Sequence, residues 1–212
     1  EFSVYNSLAA ASACLALQVP LESIKSALEA GSTVSGRFEH VDVGQKYSVI
    51  VDYAHTADAL ENLFALYRRL TPGRLFAVFG ATGGGRDKAK RPEMGRVVSE
   101  IADYVIVTND DPYTEDEIGI VDQVSEGVKR EQGKDFWQIP DRREAIKLAL
   151  TLAKEGDTVV VAGKGAEEVI MLRGKRVPWN DRKVIEELLT REIRVELGGD
   201  HWEKRENVCF DS

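Results

Sequence analysis

The sequence predicts an α/β fold, a Rossmann-like, mostly parallel sheet with helices on both faces, preceded by a short helical segment. Three observations carry this. Near-continuous apolar runs recur at Tyr47–Asp52, Arg74–Phe79, Tyr104–Thr108, Phe136–Ile139 and Thr158–Ala162, as strands buried on both faces require. Helical patterns separate them, so that strand and helix alternate four times. Chemistry-bearing turns follow four of the runs. They are DYAHT (52–56), a Gly-rich turn (80–90), an acidic turn (109–113) and a second Gly turn (163–167). An open α/β sheet places its ligands at the carboxyl ends of its strands.

In chain order, Val4–Gln18 reads as an Ala-rich helix and Leu21–Glu29 as a second, opened by Pro20 and stopped by Gly31. The linker STVSGRF follows. Phe38–Val43 and Tyr47–Asp52 read as a hairpin around Gly44-Gln45. Helices are expected at Ala57–Leu70, Pro92–Ala102, Ile118–Glu131, Arg142–Ala153 and Asp181–Arg191, and a small hairpin at Val169–Val177. Residues 1–36 read as the end of a preceding domain, 37–191 as the α/β domain, and 192–212 as a polar tail.

The chain has 212 residues, of which 43% are apolar and 30% charged, enough to build a core. A net charge of −8 argues against a nucleic-acid surface, which needs a basic stripe. Cys14 and Cys209 are far apart and give no disulfide framework, so a reducing cytoplasm is the expected setting. No apolar run approaches the ~18 residues of a membrane span, and no signal peptide is evident. The chain starts mid-pattern without an initiator Met, as expected of a fragment or a processed product.

GATGGGRDKAKRP (80–92) places four glycines before Arg86, Lys88, Lys90 and Arg91. Glycines let backbone N–H groups approach an anion, and the cations add charge. It is not a Walker A loop, because Arg86-Asp87 stand where Lys-Ser/Thr belong. The plainer reading is a flexible turn with solvated charges. In DYAHT, Asp52 can accept both hydroxyls of a ribose, or simply end a strand. His55 lies beside it, and His40 and His201 do not complete a metal spacing. NDDPYTED (109–116) suits a helix N-terminus, or an amine held by carboxylates. In GKGAEE (163–168), Lys164 or the backbone can meet an anion and Glu167 an amine. The alternative is a tight turn with surface charges.

The order of these motifs carries more than any one of them. VDYAHTADALEN, FGATGGGRDKAKRPEMG, TNDDPYTED, AGKGAEEV and NDRKVIEELL resemble the C-terminal domain of the Mur ligases, most closely the UDP-N-acetylmuramoyl-tripeptide synthetase (MurE) type. FSVYNSLAAASACLALQVPLESIKSALEAGSTVSGRFE is similar to the end of that family's central domain and its linker. The resemblance covers about residues 2–190 and implies ATP-dependent amide formation. A carboxylate of UDP-MurNAc-L-Ala-D-Glu becomes an acyl phosphate, and a diamino acid, lysine or diaminopimelate, attacks it. ATP and Mg²⁺ are then bound mainly by parts of the enzyme not present here, and no catalytic residue or metal ligand is expected in this stretch. The resemblance assigns Asn6, Arg37, Asp52 and His55 to the nucleotide. It assigns Arg86, Asp110, Asp111, Tyr113, Gly163 and Glu167 to the amino acid. Departures stand at Tyr113, where diaminopimelate-adding members carry Arg, at Ala166 for His and at Ala57 for Pro. The competing readings are a stand-alone nucleotide- or amino-acid-binding module and a ligase of the folylpolyglutamate or cyanophycin synthetase type.

Overall fold

The structure, a computed structural model, describes residues 2–31 and 34–196, with side chains only within 4–191. Most of the 192–212 tail, with His201 and Cys209, therefore lies outside the described residues. The chain separates into two compact units, Glu1–Val34 and Ser35–Ser212.

The first unit is a helical pair, α1 (Phe2–Ala16) and α2 (Leu21–Glu29). Helix α1 ends two residues before the expected Gln18, which adopts a left-handed φ of 59° and reverses the chain. Tyr5, Leu8, Leu15, Leu17 and Leu21 are exposed, and Ile24 is buried.

The second unit is the α/β domain. Its elements are β1 (Glu39–His40), β2 (Ser48–Asp52), α3 (Ala57–Leu70), β3 (Leu75–Phe79), α4 (Lys90–Ile101), β4 (Tyr104–Val107), α5 (Glu117–Ser125), β5 (Phe136–Gln138), α6 (Arg142–Leu152), β6 (Thr158–Ala162), β7 (Val169–Leu172), β8 (Lys175–Pro178) and α7 (Asp181–Glu196). The main sheet runs β1-β2-β6-β3-β4-β5. Every pair is parallel except β1 with β2. Strands β7 and β8 form a separate antiparallel hairpin.

The unbroken apolar strands are split by the two-residue period. Ile50, Ala77, Phe79, Val105, Val107 and Val160 face one core, with Leu60 and Phe64 of α3, Met94 and Val98 of α4, and Ile120 and Val124 of α5. Val49, Val51, Phe76, Val78, Ile106, Val159 and Val161 face the other, with Ala145, Ile146 and Leu150 of α6 and Ile185 and Leu189 of α7. Each strand is therefore buried on both faces, which is why no polar alternation appears in its sequence. Side-chain caps start four of the helices, among them α7, where Asn180 accepts from Lys183 N. Thr56 accepts from Ala59 N, Asp116 from Gly119 N, and Asp141 from Arg143 N and Glu144 N.

Two expected elements are shorter. Strand β1 keeps two residues of the expected Phe38–Val43, because Phe38 has a φ of 46° and the chain turns at Gly44 on the Asp42 carboxylate. Helix α5 stops at Ser125, not Glu131. Tight turns follow (Gly127 N to Val124 O, Val128 N to Ser125 O), and Arg130 then caps the Ser99 carbonyl at the end of α4.

Strand β6 is inserted between β2 and β3, while β4 and β5 extend the sheet on the other side of β3. The strand order thus reverses beside β3, and the carboxyl ends of β3 and β6 flank that point. At Gly80, directly after β3, a Cβ would run into the Thr108 carbonyl oxygen and lie 3.1 Å from the Asn109 and Asp110 backbone. Gly80→Ala is expected to lower stability by about 1–3 kcal/mol. The check is urea unfolding, where the midpoint should fall at unchanged slope; an unmoved midpoint would refute this tight approach.

Candidate functional site

Four segments leave the carboxyl ends of β2, β3, β4 and β6. They meet around one buried ammonium. Gly163 and Gly165, with φ of 118° and 53°, bracket Lys164 and turn its side chain inward. Lys164 is fully buried. Its Nζ donates to Asp111 Oδ1 at 2.9 Å and to Glu167 Oε2, and lies 3.9 Å from Asp110 Oδ1. Burial opposes the charge, but the bonds to Glu167 and Asp111 and the field of Asp110 outweigh it, so the ammonium titrates above the ordinary lysine range. Lys164 is neither a free anion contact nor a surface charge of a tight turn; it is an internal counter-ion.

Asp110 is 3% exposed. Burial pushes its carboxyl up to about 6, with the charges of Arg142 and then Lys164 pulling against it and Asp111 and Asp181 adding to it. Its Oδ2 lies 3.5 Å from Thr82 Oγ1. A Cβ on Gly163 would stand 2.9 Å from the same oxygen, so only glycine leaves this carboxylate its place. Asp111 ties three segments together. Its Oδ1 also accepts from Met171 N at 2.8 Å, and its carbonyl accepts from Gly83 N at 2.8 Å.

From the cluster a line of contacts runs toward the start of the domain. Tyr53 donates from its hydroxyl to Glu167 Oε1 at 3.3 Å. Burial first, then the Glu167 charge, raises the phenol above its ordinary range. Arg37 lies over the Tyr53 ring at 4.8 Å, and His55 meets the ring edge-on at 4.8 Å. His55 Nδ1 is also 2.8 Å from the Tyr53 carbonyl. Asp52, buried, accepts from Ala54 N and Phe38 N, both at 2.8 Å, so its two oxygens are bonded to backbone. Its carbonyl accepts from Gly163 N at 3.0 Å.

The cations of the Gly-rich loop do not act as one anion site. Arg91 is fully buried and binds Glu115 at 3.0 Å, Gln123 at 2.7 Å and the Thr82 carbonyl at 3.2 Å. Lys88 reaches the same Glu115 at 2.5 Å. Arg91 and then Lys88 hold Glu115 down at about 2. Both therefore fasten the loop to the 109–117 segment. Arg86 is exposed and makes no ion pair among the described residues. Tyr113 has a left-handed φ of 57° and is held by Met171 O at 3.0 Å and Gly174 N at 2.6 Å. A Cβ on Gly84 would lie 2.8 Å from the Tyr113 ring, which places that ring against the Gly-rich loop.

The structure thus joins Arg37, Asp52, His55, Asp110, Asp111, Gly163 and Glu167 through direct contacts. Tyr113 and the loop carrying Arg86 lie on the same rim. Asn6 is exposed on α1, in the other unit. Sequence reasoning missed Tyr53, Arg142 and Asp181. A Gly-Lys-Gly directly behind the apolar run of residues 159–162 was the available sign that Lys164 turns inward.

The fold and rim define the class first. This is an open α/β domain whose strand ends gather buried carboxylates around a lysine and leave an arginine free nearby. Comparison with known proteins narrows it. The model of the family "Mur ligase, glutamate ligase domain" matches residues 36–165, and the chain belongs to the Mur ligase family. It is 45% identical over 191 residues to the UDP-N-acetylmuramoyl-L-alanyl-D-glutamate–2,6-diaminopimelate ligase of Clostridium botulinum, covering 89% of this chain and 39% of that relative. The protein of the same name from Geobacillus kaustophilus is 46% identical over 184 residues, covering 87% and 37%. A solved structure of an enzyme of that name superposes with a TM-score of 0.70 at 34% identity, over 91% of this chain and 39% of that one. The UDP-N-acetylmuramate-alanine ligase of Thermotoga maritima, at 21% identity and a TM-score of 0.60 over 92% of this chain and 38% of that one, shares the fold. The chain thus spans about two fifths of the length of these proteins.

Lys164→Met would strand three carboxylates, two of them largely buried. A loss of about 3–5 kcal/mol at pH 7 is expected. The loss should shrink toward pH 5. A carboxyl raised in the folded state binds more protons there than in the unfolded chain, so its stabilising contribution is present at low pH and lost as pH rises through about 6 for Asp110. Removing Lys164 raises that carboxyl further. Urea unfolding of both proteins at pH 5 and pH 7 measures this, and a pH-independent difference would contradict it.

Proposed function

We propose that the chain is the amino-acid-binding part of a longer ATP-dependent ligase, together with the end of its central domain. The ligase joins a diamino acid to UDP-MurNAc-L-Ala-D-Glu in the synthesis of peptidoglycan precursors in the cytoplasm. The names of the relatives support this reading. So does one observation on the rim. An ion cluster with three carboxylates to one ammonium stands at the same carboxyl end of the sheet as the loop that carries Arg86, which is exposed and unpaired among the described residues. A zwitterionic amino acid carries the complementary charges. The domain boundaries at 36 and 191 belong to the same reading, and the exposed apolar residues of α1 and α2 suit helices that belong to a larger body.

In this reading Arg86 takes the α-carboxylate by a charge-assisted fork. Asp110, Asp111, Gly163 and Glu167 surround the far end, with Tyr113 at its edge. Arg37 and His55, both against the Tyr53 ring, meet the edge of the nucleotide; Asn6, in the other unit, is assigned to the nucleotide by the family resemblance alone. Asp52 serves there by fixing Phe38, and with it Arg37. Among the described residues no group of three His, Cys, Asp or Glu is placed to hold a metal ion. By the family resemblance, Mg²⁺ and the phosphates of ATP are assigned to the part of the longer protein that this chain does not span. ATP would supply the phosphoryl group that turns the dipeptide carboxylate into an acyl phosphate, from which phosphate can leave. The part played by this domain is to hold the incoming amine unprotonated and in line with the acyl carbon. The C–N bond forms as the C–O bond to phosphate breaks.

The choice of diamino acid rests on Tyr113. Three of the four relatives named above carry diaminopimelate in their names, and a tyrosine offers one neutral hydrogen bond where a guanidinium offers a charged fork. Lysine and diaminopimelate both belong to the proposed class. The test is turnover of the full-length protein with UDP-MurNAc-dipeptide and a panel of amino acids. Arg86→Ala is expected to raise KM for the amino acid about tenfold to a hundredfold. Tyr113→Arg should raise kcat/KM for diaminopimelate relative to lysine. An unchanged KM in the first, or no gain in the second, counts against these assignments. The chain by itself should form no amide. Tight binding of ATP or lysine to it in calorimetry would favour the stand-alone module instead.

A further inference from the structure

A second buried ion pair stands behind the rim, and the reading above does not use it. Arg142 opens α6 and Asp181 opens α7, with side chains 1% and 0% exposed. Arg142 Nε donates to Asp181 Oδ1 at 2.8 Å and Nη2 to Oδ2 at 2.7 Å. The same guanidinium donates from Nη1 to the Asn109 carbonyl at 3.1 Å and from Nη2 to the Ala162 carbonyl at 3.0 Å. Trp179 Nε1 donates to Asp181 Oδ1 at 2.8 Å and fixes the carboxylate from the other side.

The two carbonyls are informative. Asn109 directly precedes Asp110, and Ala162 directly precedes Gly163. One rigid fork therefore spans the roots of the acidic turn and the lysine turn. A buried ion pair is weak evidence for stability, since well-packed apolar side chains often serve as well. What an apolar pair cannot do is hold two carbonyls at a set distance and angle, which a planar guanidinium does.

We propose that Arg142, locked by Asp181, is a positioning residue of the amino-acid site, setting the spacing between the turn that carries Asp110 and Asp111 and the turn that carries Gly163, Lys164 and Glu167. It acts through these turns and not on the substrate. The inference rests on the function proposed above. Arg142 is also the strongest favourable charge on Asp110, whose other neighbours are Lys164, Asp111, Asp181 and the Thr82 hydroxyl. Loss of the Arg142 charge therefore moves Asp110 to a higher pH range.

The test uses the full-length ligase with Arg142→Lys, Arg142→Met and Asp181→Asn. Each folded variant should raise KM for the amino acid about tenfold to a hundredfold, while KM for ATP stays within about twofold. The acid limb of the pH profile of kcat/KM should move up in Arg142→Met and stay in Arg142→Lys, which keeps the charge. Amide exchange should quicken in the peptides covering 109–113 and 163–167. An amino-acid KM within about twofold of the parent in the folded variants would overturn the proposal. So would a parallel rise of both KM values, which marks a general structural defect. If Arg142→Met does not fold, Arg142→Lys and Asp181→Asn decide by the same measures. A parent protein that turns over no amino acid would sink the ligase reading alone. The exchange data would still decide the clamp, and unchanged exchange in both turns would reject it.

Discussion

The constraint on which the rim depends is the buried ammonium of Lys164. Taking such a charge out of water costs several kcal/mol, and the cost is met only if carboxylates surround it. Asp111, Glu167 and Asp110 do so, and each brings its own segment along. Asp111 carries the Gly-rich loop through its carbonyl and the β7–β8 hairpin through Met171 N. Glu167 brings Tyr53, and Tyr53 brings Arg37. The left-handed glycines on either side of Lys164 are the local requirement for turning this side chain inward. A chain of ionic and aromatic contacts thus fixes four segments that share no secondary structure.

Sheet topology decides why these segments meet at all. With β6 between β2 and β3, the carboxyl ends of β2, β6, β3 and β4 stand side by side. The other end of the sheet is fastened differently. Arg74 pairs with Asp157 at 2.6 Å, Arg68 with Asp103 at 2.5 Å, and Thr71 with Thr158 at 2.8 Å. Those contacts bind strand starts to neighbouring turns and carry local stability. At the carboxyl rim, burial moves the titration of Asp110 and of Tyr53 upward. Such perturbed groups gather where an open α/β domain handles ligands.

Much of the fold was legible in the sequence because each buried strand is a short apolar run and several helices, α3, α5 and α6 among them, carry their own caps. Helix α3, from Ala57 to Leu70, was readable to the residue. The failures came where a distant contact overrides local pattern, as when α5 breaks off early and Arg130 reaches across to α4. The rim was legible as positions but not as pairings. Lys88 and Arg91 looked like free cations beside glycines, yet they are neutralised by Glu115, which lies some two dozen residues away in the chain. Arg142 looked like an ordinary charged residue in the first turn of a helix, because nothing in DRREA announces a partner at Asp181.

The sequence by itself determined the class of fold, the order of its strands and helices, and the four turns where chemistry-bearing residues gather. Hydrophobic period, caps and glycines act locally and need no partner to be read. Tertiary structure alone decided which charges stay exposed and which neutralise one another. Lys164, Arg91 and Arg142 are buried and paired, while Arg86 is left exposed. The charge state and direction of a side chain follow from its neighbours in space, and those neighbours are set by the crossing order of the sheet.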